Sequence, residues 1–241
     1  MNPSRPLPAL LPAALAACLF AAPAVHAQTA AALAADQDTP GDVLTSGMGY
    51  GQQRFSPLRQ IDTRTVSRLV PVWNMSTNNM LGDEAQPLVH EGVMYYTTGK
   101  STYAINALTG RMLWKHELDY GPDIGRAALS GQVNRGPALL DGRLFRTTLD
   151  AHVIALDAKT GKELWKSKSA DYTKGYSMSV APLVANGILI TGIGCGEHGG
   201  RGYIEGWDPA TGRQLWRRYT VPAPGEAGSE TWPATDAWTR G

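Results

Sequence analysis

The chain has 241 residues, with 22 Lys and Arg against 21 Asp and Glu, a net charge of +1 and no basic block, which excludes nucleic acid and anionic membrane as electrostatic partners. Glycine is frequent at 27, there are 7 tryptophans, and helix-period amphipathic stretches are scarce, so the composition is that of an all-β protein.

Residues 1–27 read as a secretory signal peptide. Arg5 precedes an apolar run from Leu10 to Val25, and Val25-His26-Ala27 places small residues where signal peptidase reads. Pro12 and Pro23 interrupt the run too much for a membrane span. A lipoprotein box at Leu15-Ala16-Ala17-Cys18 is the second reading, ranked lower because Leu19 and Phe20 continue the apolar run past the cysteine. Export, with cleavage near Ala27, is therefore the expectation. The mature portion, 28–241, then keeps one cysteine, Cys195, and no internal disulfide.

An internal repeat dominates the mature portion. Tyr103–Trp114 (YAINALTGRMLW), Val153–Trp165 (VIALDAKTGKELW) and Ile204–Trp216 (IEGWDPATGRQLW) align, and their turn glycines (Gly110, Gly161, Gly212) and closing tryptophans (Trp114, Trp165, Trp216) both recur every 51 residues. Each copy predicts a strand, a tight turn in which Asn or Asp accepts backbone N–H bonds and Gly takes positive φ, and a second strand. Upstream of each lies another strand pair, turning at Glu91-Gly92, Asp141-Gly142 and Asn186-Gly187. Four short strands per period is the pattern of a β-propeller blade. A degenerate copy, Ile61–Trp73 (IDTRTVSRLVPVW), keeps only the closing Trp73. The four tryptophans are read as structural, each packing between blades with its indole N–H on a backbone carbonyl. Lys162, Glu163 and Arg213 are read as turn decoration, Glu205 as a solvent-facing strand residue, and His90 and His152 as turn or edge residues.

The stretch Gly192–Gly206 (GIGCGEHGGRGYIEG) interrupts the third copy, which is correspondingly longer from turn glycine to tryptophan. By itself it reads either as a hairpin turn with a solvated acid, Glu197, or as backbone laid against a flat or charged ligand. Pro222 to Pro233 reads as a long loop over the mouth of such a site.

Together with the repeats, YGQQRFSPL at Tyr50–Leu58, GDEAQPL at Gly82–Leu88, VNRG at Val133–Gly136, APLV at Ala181–Val184, and GCGE at Gly194–Glu197 with Arg201-Gly202 resemble the N-terminal part of the pyrroloquinoline quinone (PQQ)-dependent methanol and ethanol dehydrogenases. The resemblance runs from about Asp42 to the last residue. It implies an eight-bladed, tryptophan-docking propeller, here an incomplete set of about four blades, exported to the periplasm. The implied reaction is hydride transfer from a small primary alcohol to metal-bound PQQ, with Ca²⁺ or a lanthanide as the metal, a periplasmic cytochrome c as electron acceptor and a homodimer for the full-length protein. By position, Glu197 corresponds to the metal-ligand glutamate, and Gly194, Cys195 and Gly196 to backbone at the cofactor edge. Arg135 corresponds to the arginine that pairs with a cofactor carboxylate, Ser179 to a hydroxyl contact and Glu84 to an acidic contact.

Those roles make chemical sense: a guanidinium fork suits a tricarboxylated quinone, and a carboxylate suits a hard cation. His198 is read as no ligand because such a cation prefers oxygen, and Cys195 as a small residue tolerated at the edge.

Two departures stand out. Leu129-Ser130 occupy the places of the family's adjacent cysteine pair, and the family's stacking tryptophan, asparagine metal ligand and catalytic aspartate are expected beyond residue 241, with Asp236 and Trp238 no substitutes. The chain alone is therefore expected to be inactive. A non-catalytic periplasmic scaffold of tryptophan-docking repeats is the alternative, and a sugar dehydrogenase of the same fold class ranks third.

Overall fold

In a computed structural model of the chain, the described residues are 28–127, 132–233 and 236–239. The expected signal peptide and Leu129-Ser130 lie outside them. Among the described residues, twelve strands form three four-stranded antiparallel sheets, each with its strands hydrogen-bonded in chain order or its reverse. The first holds β1 (Leu88–His90), β2 (Val93–Thr97), β3 (Ser101–Asn106) and β4 (Met112–Glu117). The second holds β5 (Ala138–Leu140), β6 (Arg143–Thr147), β7 (His152–Asp157) and β8 (Glu163–Lys168). The third holds β9 (Leu183–Ala185), β10 (Ile188–Gly192), β11 (Tyr203–Trp207) and β12 (Gln214–Tyr219).

The turn residues act as their chemistry demands. Glu91-Gly92, Asp141-Gly142 and Asn186-Gly187 all have positive φ at both positions, the backbone of the two-residue hairpin turn that matches strand twist. In the second turn of each sheet, Asn106, Asp157 and Asp208 use one side-chain oxygen to accept N–H bonds from the residues two and three positions on.

Three of the four repeat tryptophans, Trp73, Trp114 and Trp165, dock as expected. The indole of Trp73 donates to Ala107 O (3.0 Å), that of Trp114 to Ala158 O (3.0 Å) and that of Trp165 to Pro209 O (3.1 Å), so each ring reaches the turn of the following sheet. There it lies on the turn glycine: a Cβ at Gly110, Gly161 or Gly212 would fall 2.5–2.6 Å from ring carbons. Opposite Trp114, Trp165 and Trp216 within their own sheets stand the small residues Ala104, Ala155 and Gly206, and the register slips just after that residue in all three sheets. The degenerate copy supplies Trp73 and a single 3₁₀ turn, Val66–Arg68, with no sheet among the described residues.

Apolar cores fill the gaps. Leu88, Tyr95, Leu144 and Leu156 pack between the first and second sheets, and Phe145, Val153, Leu189 and Trp207 between the second and third. Strand β7, in the middle, is buried along nearly its whole length, hence its unbroken apolar sequence. The N-terminal segment crosses these sheets. Gln28 holds the Asp141-Gly142 turn through its carbonyl and its side chain, Val43 pairs with Val89, and buried Asp36 accepts from Leu44 N, Thr45 N and Thr45 Oγ1.

One expectation is corrected. Glu205 does not face solvent; it is fully buried, bonded by Ser169 Oγ (2.6 Å), Arg217 Nε (2.7 Å) and Gln214, while its neighbour Ile204 is the exposed one. Burial, only partly offset by Ser169 and Arg217, holds its carboxyl above the usual carboxylate range. His90 and His152 do sit at strand ends, each beside an aspartate, Asp42 and Asp150 respectively.

Two turn glycines separate backbone cost from docking cost. Gly142 (φ +71) has open space where a Cβ would go, whereas Gly161 (φ +73) faces the Trp114 ring. Gly142→Ala should lose about 1–2 kcal/mol from the left-handed backbone alone. Gly161→Ala should lose roughly 1–3 kcal/mol more from overpacking. Urea denaturation of the two variants measures the difference.

Candidate functional site

Each sheet is approached by a short extended segment that leads into its first strand, and the three segments lie side by side. Gln86 N donates to Arg135 O (3.3 Å) and Arg135 N to Ser179 O (2.9 Å), joining the lead-ins of β1, β5 and β9. Their side chains converge as well. Arg135 Nη2 lies 3.0 Å from Glu84 Oε2, and Nη1 donates to Ser179 Oγ at 2.5 Å. Three of the expected residues, one per sheet, thus form a single cluster joined by an ion pair and a hydrogen bond. It remains accessible, with the Arg135 and Glu84 side chains about half exposed at 51% and 50%.

Local sequence explains the convergence. Gly136 has φ +125, and a Cβ there would sit 2.8 Å from Gln86 O, so only glycine lets the first two lead-ins approach. Gly99, between β2 and β3, meets the start of the β5 lead-in, where a Cβ would be 2.0 Å from Gln132 O. A cavity of about 310 Å³ opens beside the cluster, lined in part by Ser46, Arg54, Gln86 and Ala181. Gln86 stands inside the GDEAQPL motif and could have been read from it; Ser46, which donates to Gln86 Oε1, carried no sequence signal.

The glycine-rich stretch joins this group through its backbone. Gly194 and Ser177 exchange N–H···O bonds of 3.1 and 3.3 Å, which lays the stretch alongside the lead-in that carries Ser179. Cys195 is buried at 2% exposure with its side chain turned against Gly200, whereas the flanking Gly194 and Gly196 are exposed. Gly196–His198 form a 3₁₀ turn closed by Gly199 at φ +76. Glu197 is the central residue of that turn, and its side chain lies outside the described residues. Among the described residues no group of three or more His, Cys, Asp or Glu is arranged to hold a metal ion. Arg201 fastens the segment that follows β12: its Nε donates to Val221 O (2.8 Å), it pairs with Glu226, and its guanidinium stacks 3.7 Å over the Tyr219 ring. The Pro222–Pro233 loop is thereby held against the glycine-rich stretch.

Residues 45–241 match the family described as PQQ: glucose/ethanol/alcohol dehydrogenase, β-propeller domain. The chain belongs to that family. It is 42% identical over 193 residues to the quinohemoprotein alcohol dehydrogenase ADH IIB of Pseudomonas putida, covering 80% of this chain and 28% of that protein. It is 40% identical over 224 residues to the 1-butanol dehydrogenase (quinone) of Thauera butanivorans, covering 89% and 36%. Among solved structures it superposes on a europium-containing methanol dehydrogenase with a TM-score of 0.75 at 37% identity, over 80% of this chain and 34% of the other. The quinohemoprotein ADHIIG of Pseudomonas putida gives 0.78 at 35%, over 88% and 32%. The chain therefore spans well under half the length of each of these PQQ-domain relatives.

The Glu84–Arg135 ion pair of the cluster is half exposed. An ion pair this exposed contributes little to folding. Glu84→Ala and Ser179→Ala should each shift unfolding free energy by less than about 0.5 kcal/mol, as read from denaturant midpoints.

Proposed function

We propose that residues 28–241 form the N-terminal part of the propeller of an exported, periplasmic quinoprotein that oxidises small primary alcohols, with the Glu84–Arg135–Ser179 cluster holding one edge of PQQ. The single observation that carries this reading is the convergence of those three side chains, one from each sheet, on a guanidinium left half exposed. The donor set suits the group: PQQ presents carboxylates and ring heteroatoms to its binding site, and here a planar two-pronged donor stands beside a hydroxyl and a carboxylate acceptor. When bound, the quinone supplies an acceptor for the hydride leaving the alcohol carbon.

Each residue has its own task. Arg135 offers Nη1 and Nη2 to an anionic group, held in orientation by Ser179 Oγ on one side and Glu84 on the other. Gly194 and Gly196 let a flat ligand approach the backbone without a Cβ between. Glu197 supplies carboxylate oxygen to a hard cation, Ca²⁺ or a lanthanide, completed by ligands from outside this chain's described residues. The alcohol's proton acceptor is expected from that same remainder, as are the surfaces that meet a cytochrome c acceptor and a second subunit. A scaffold built of tryptophan-docking repeats would need the three sheets but has no use for an exposed Arg between an acid and a hydroxyl.

Titration of purified residues 28–241 with PQQ, in the presence of Ca²⁺ or La³⁺, tests the reading. A shifted quinone absorption is expected for the native sequence and should be lost in Arg135→Ala. Metal should add thermal stability only when Glu197 is intact, with Glu197→Gln as the comparison. Ethanol oxidation with an artificial electron acceptor should remain at background for this chain alone. An unshifted quinone spectrum in the native sequence would refute the assignment.

A further inference from the structure

Beneath the exposed cluster runs a second line of hydrogen bonds that links the same three sheets, buried at Thr97, Asn134 and Thr147 and half-buried where it ends at Val180. Asn134, only 1% exposed, is its centre. Its Oδ1 accepts from Thr97 Oγ1 at the end of β2 (2.6 Å) and from Gly136 N (3.1 Å). Its Nδ2 donates to Thr147 O at the end of β6 (3.1 Å), with Thr147 Oγ1 a second acceptor at 3.4 Å. Thr147 Oγ1 in turn donates to Val180 O at 2.6 Å. The line therefore runs from the first sheet to the third.

Its placement relative to the cluster is one residue out of step. Asn134 precedes Arg135, and Val180 follows Ser179, so the two residues whose side chains meet at the surface each have a chain neighbour bonded below. Thr147 O is itself fixed from a further side by Arg146 Nε at 3.1 Å. The Arg146 guanidinium is wholly buried, and its remaining donors go to Ser101 O, Thr98 O, Gly99 O and Thr102 Oγ1. No carboxylate is hydrogen-bonded to it among the described residues. Burying a cation on carbonyls is an expensive way to join two sheets, since desolvation of the charge opposes folding. What such a network provides instead is one fixed geometry, because each donor has a definite acceptor and a shifted arrangement would leave buried polar groups unpaired.

We propose that Asn134 and Thr147 are positioning residues: they set the Arg135–Ser179 contact, and through it the affinity of the site for an anionic quinone. The quinone part of this inference rests on the function proposed above; the positioning part rests on the hydrogen bonds alone. Thr147 is the sharper probe. Valine keeps its shape while removing the hydroxyl that joins Asn134 to Val180, and serine keeps the hydroxyl.

The test uses residues 28–241 as native sequence, Thr147→Val, Thr147→Ser and Leu144→Val, the last being a core change in β6 outside the network. Without ligand, nuclear Overhauser contacts between the Arg135 guanidinium and Ser179 should be present in native, Thr147→Ser and Leu144→Val protein and lost in Thr147→Val. With PQQ, at a temperature where all are folded, Thr147→Val should bind about tenfold more weakly, while the other two bind as the native sequence does, since the net worth of one hydrogen bond corresponds to a change in affinity on the order of tenfold. If Thr147→Val does not fold, Asn134→Ser, which removes the amide donor, takes its place under the same two readouts. Retention of the Arg135–Ser179 contact in the variant overturns the positioning role, as does native quinone affinity in it. A native chain that shows the contact pattern but binds no PQQ refutes the proposed function and leaves the positioning role standing.

Discussion

A tryptophan ring seated on the turn glycine of the next sheet is the contact on which the rest of this molecule depends. The glycine serves twice. Its positive φ closes the turn, and its missing Cβ makes room for the ring, since a methyl group would fall within 2.6 Å of it. The indole N–H then takes a carbonyl in the same turn, which fixes the direction of the ring as well as its position. Successive sheets are locked at one relative orientation, and their first strands come together. The lead-ins of those strands can therefore hydrogen-bond to one another, and Arg135 meets Glu84 and Ser179.

Much of this is legible in the sequence because it is local and repeated. The Asn106, Asp157 and Asp208 turns, the hairpin glycines and the docking tryptophans each depend on residues within a few positions, and a common period exposes them. The motif residues Glu84, Arg135 and Ser179 are legible through resemblance, and their meeting through none of the local patterns. Glu205 departs from its expected place for a physical reason. On β11 the apolar Ile204 faces outward and the acid inward, the reverse of what hydropathy alternation implies. What inverts the rule is a set of partners brought by the fold: Ser169 from the segment after β8, and Arg217 directly opposite on β12. A cross-strand acid–base pair is visible in principle once register is known, but register is not in the strand itself.

The spaces between sheets are correspondingly not uniform. Between the first and second, an apolar cluster of Leu88, Leu144 and Leu156 shares the interface with the Arg146 guanidinium and its carbonyls. In the third sheet the buried acid is Glu205, answered by Arg217, whose guanidinium also lies 3.8 Å over the Tyr203 ring. Hydrophobic contact brings the sheets together in each case, and the polar groups decide how they sit.

Because each sheet contributes one side chain to the exposed cluster, and contributes it from a lead-in and not from a core strand, the recognition surface is written in separable units. Changing Glu84 or Ser179 alters one contact to Arg135 and leaves untouched the docking of the sheets, which resides in the tryptophans and turn glycines. A scaffold organised in this way can exchange ligands by small edits at its lead-ins while its framework is inherited whole, so ligand choice and folding stability are free to diverge along different residues.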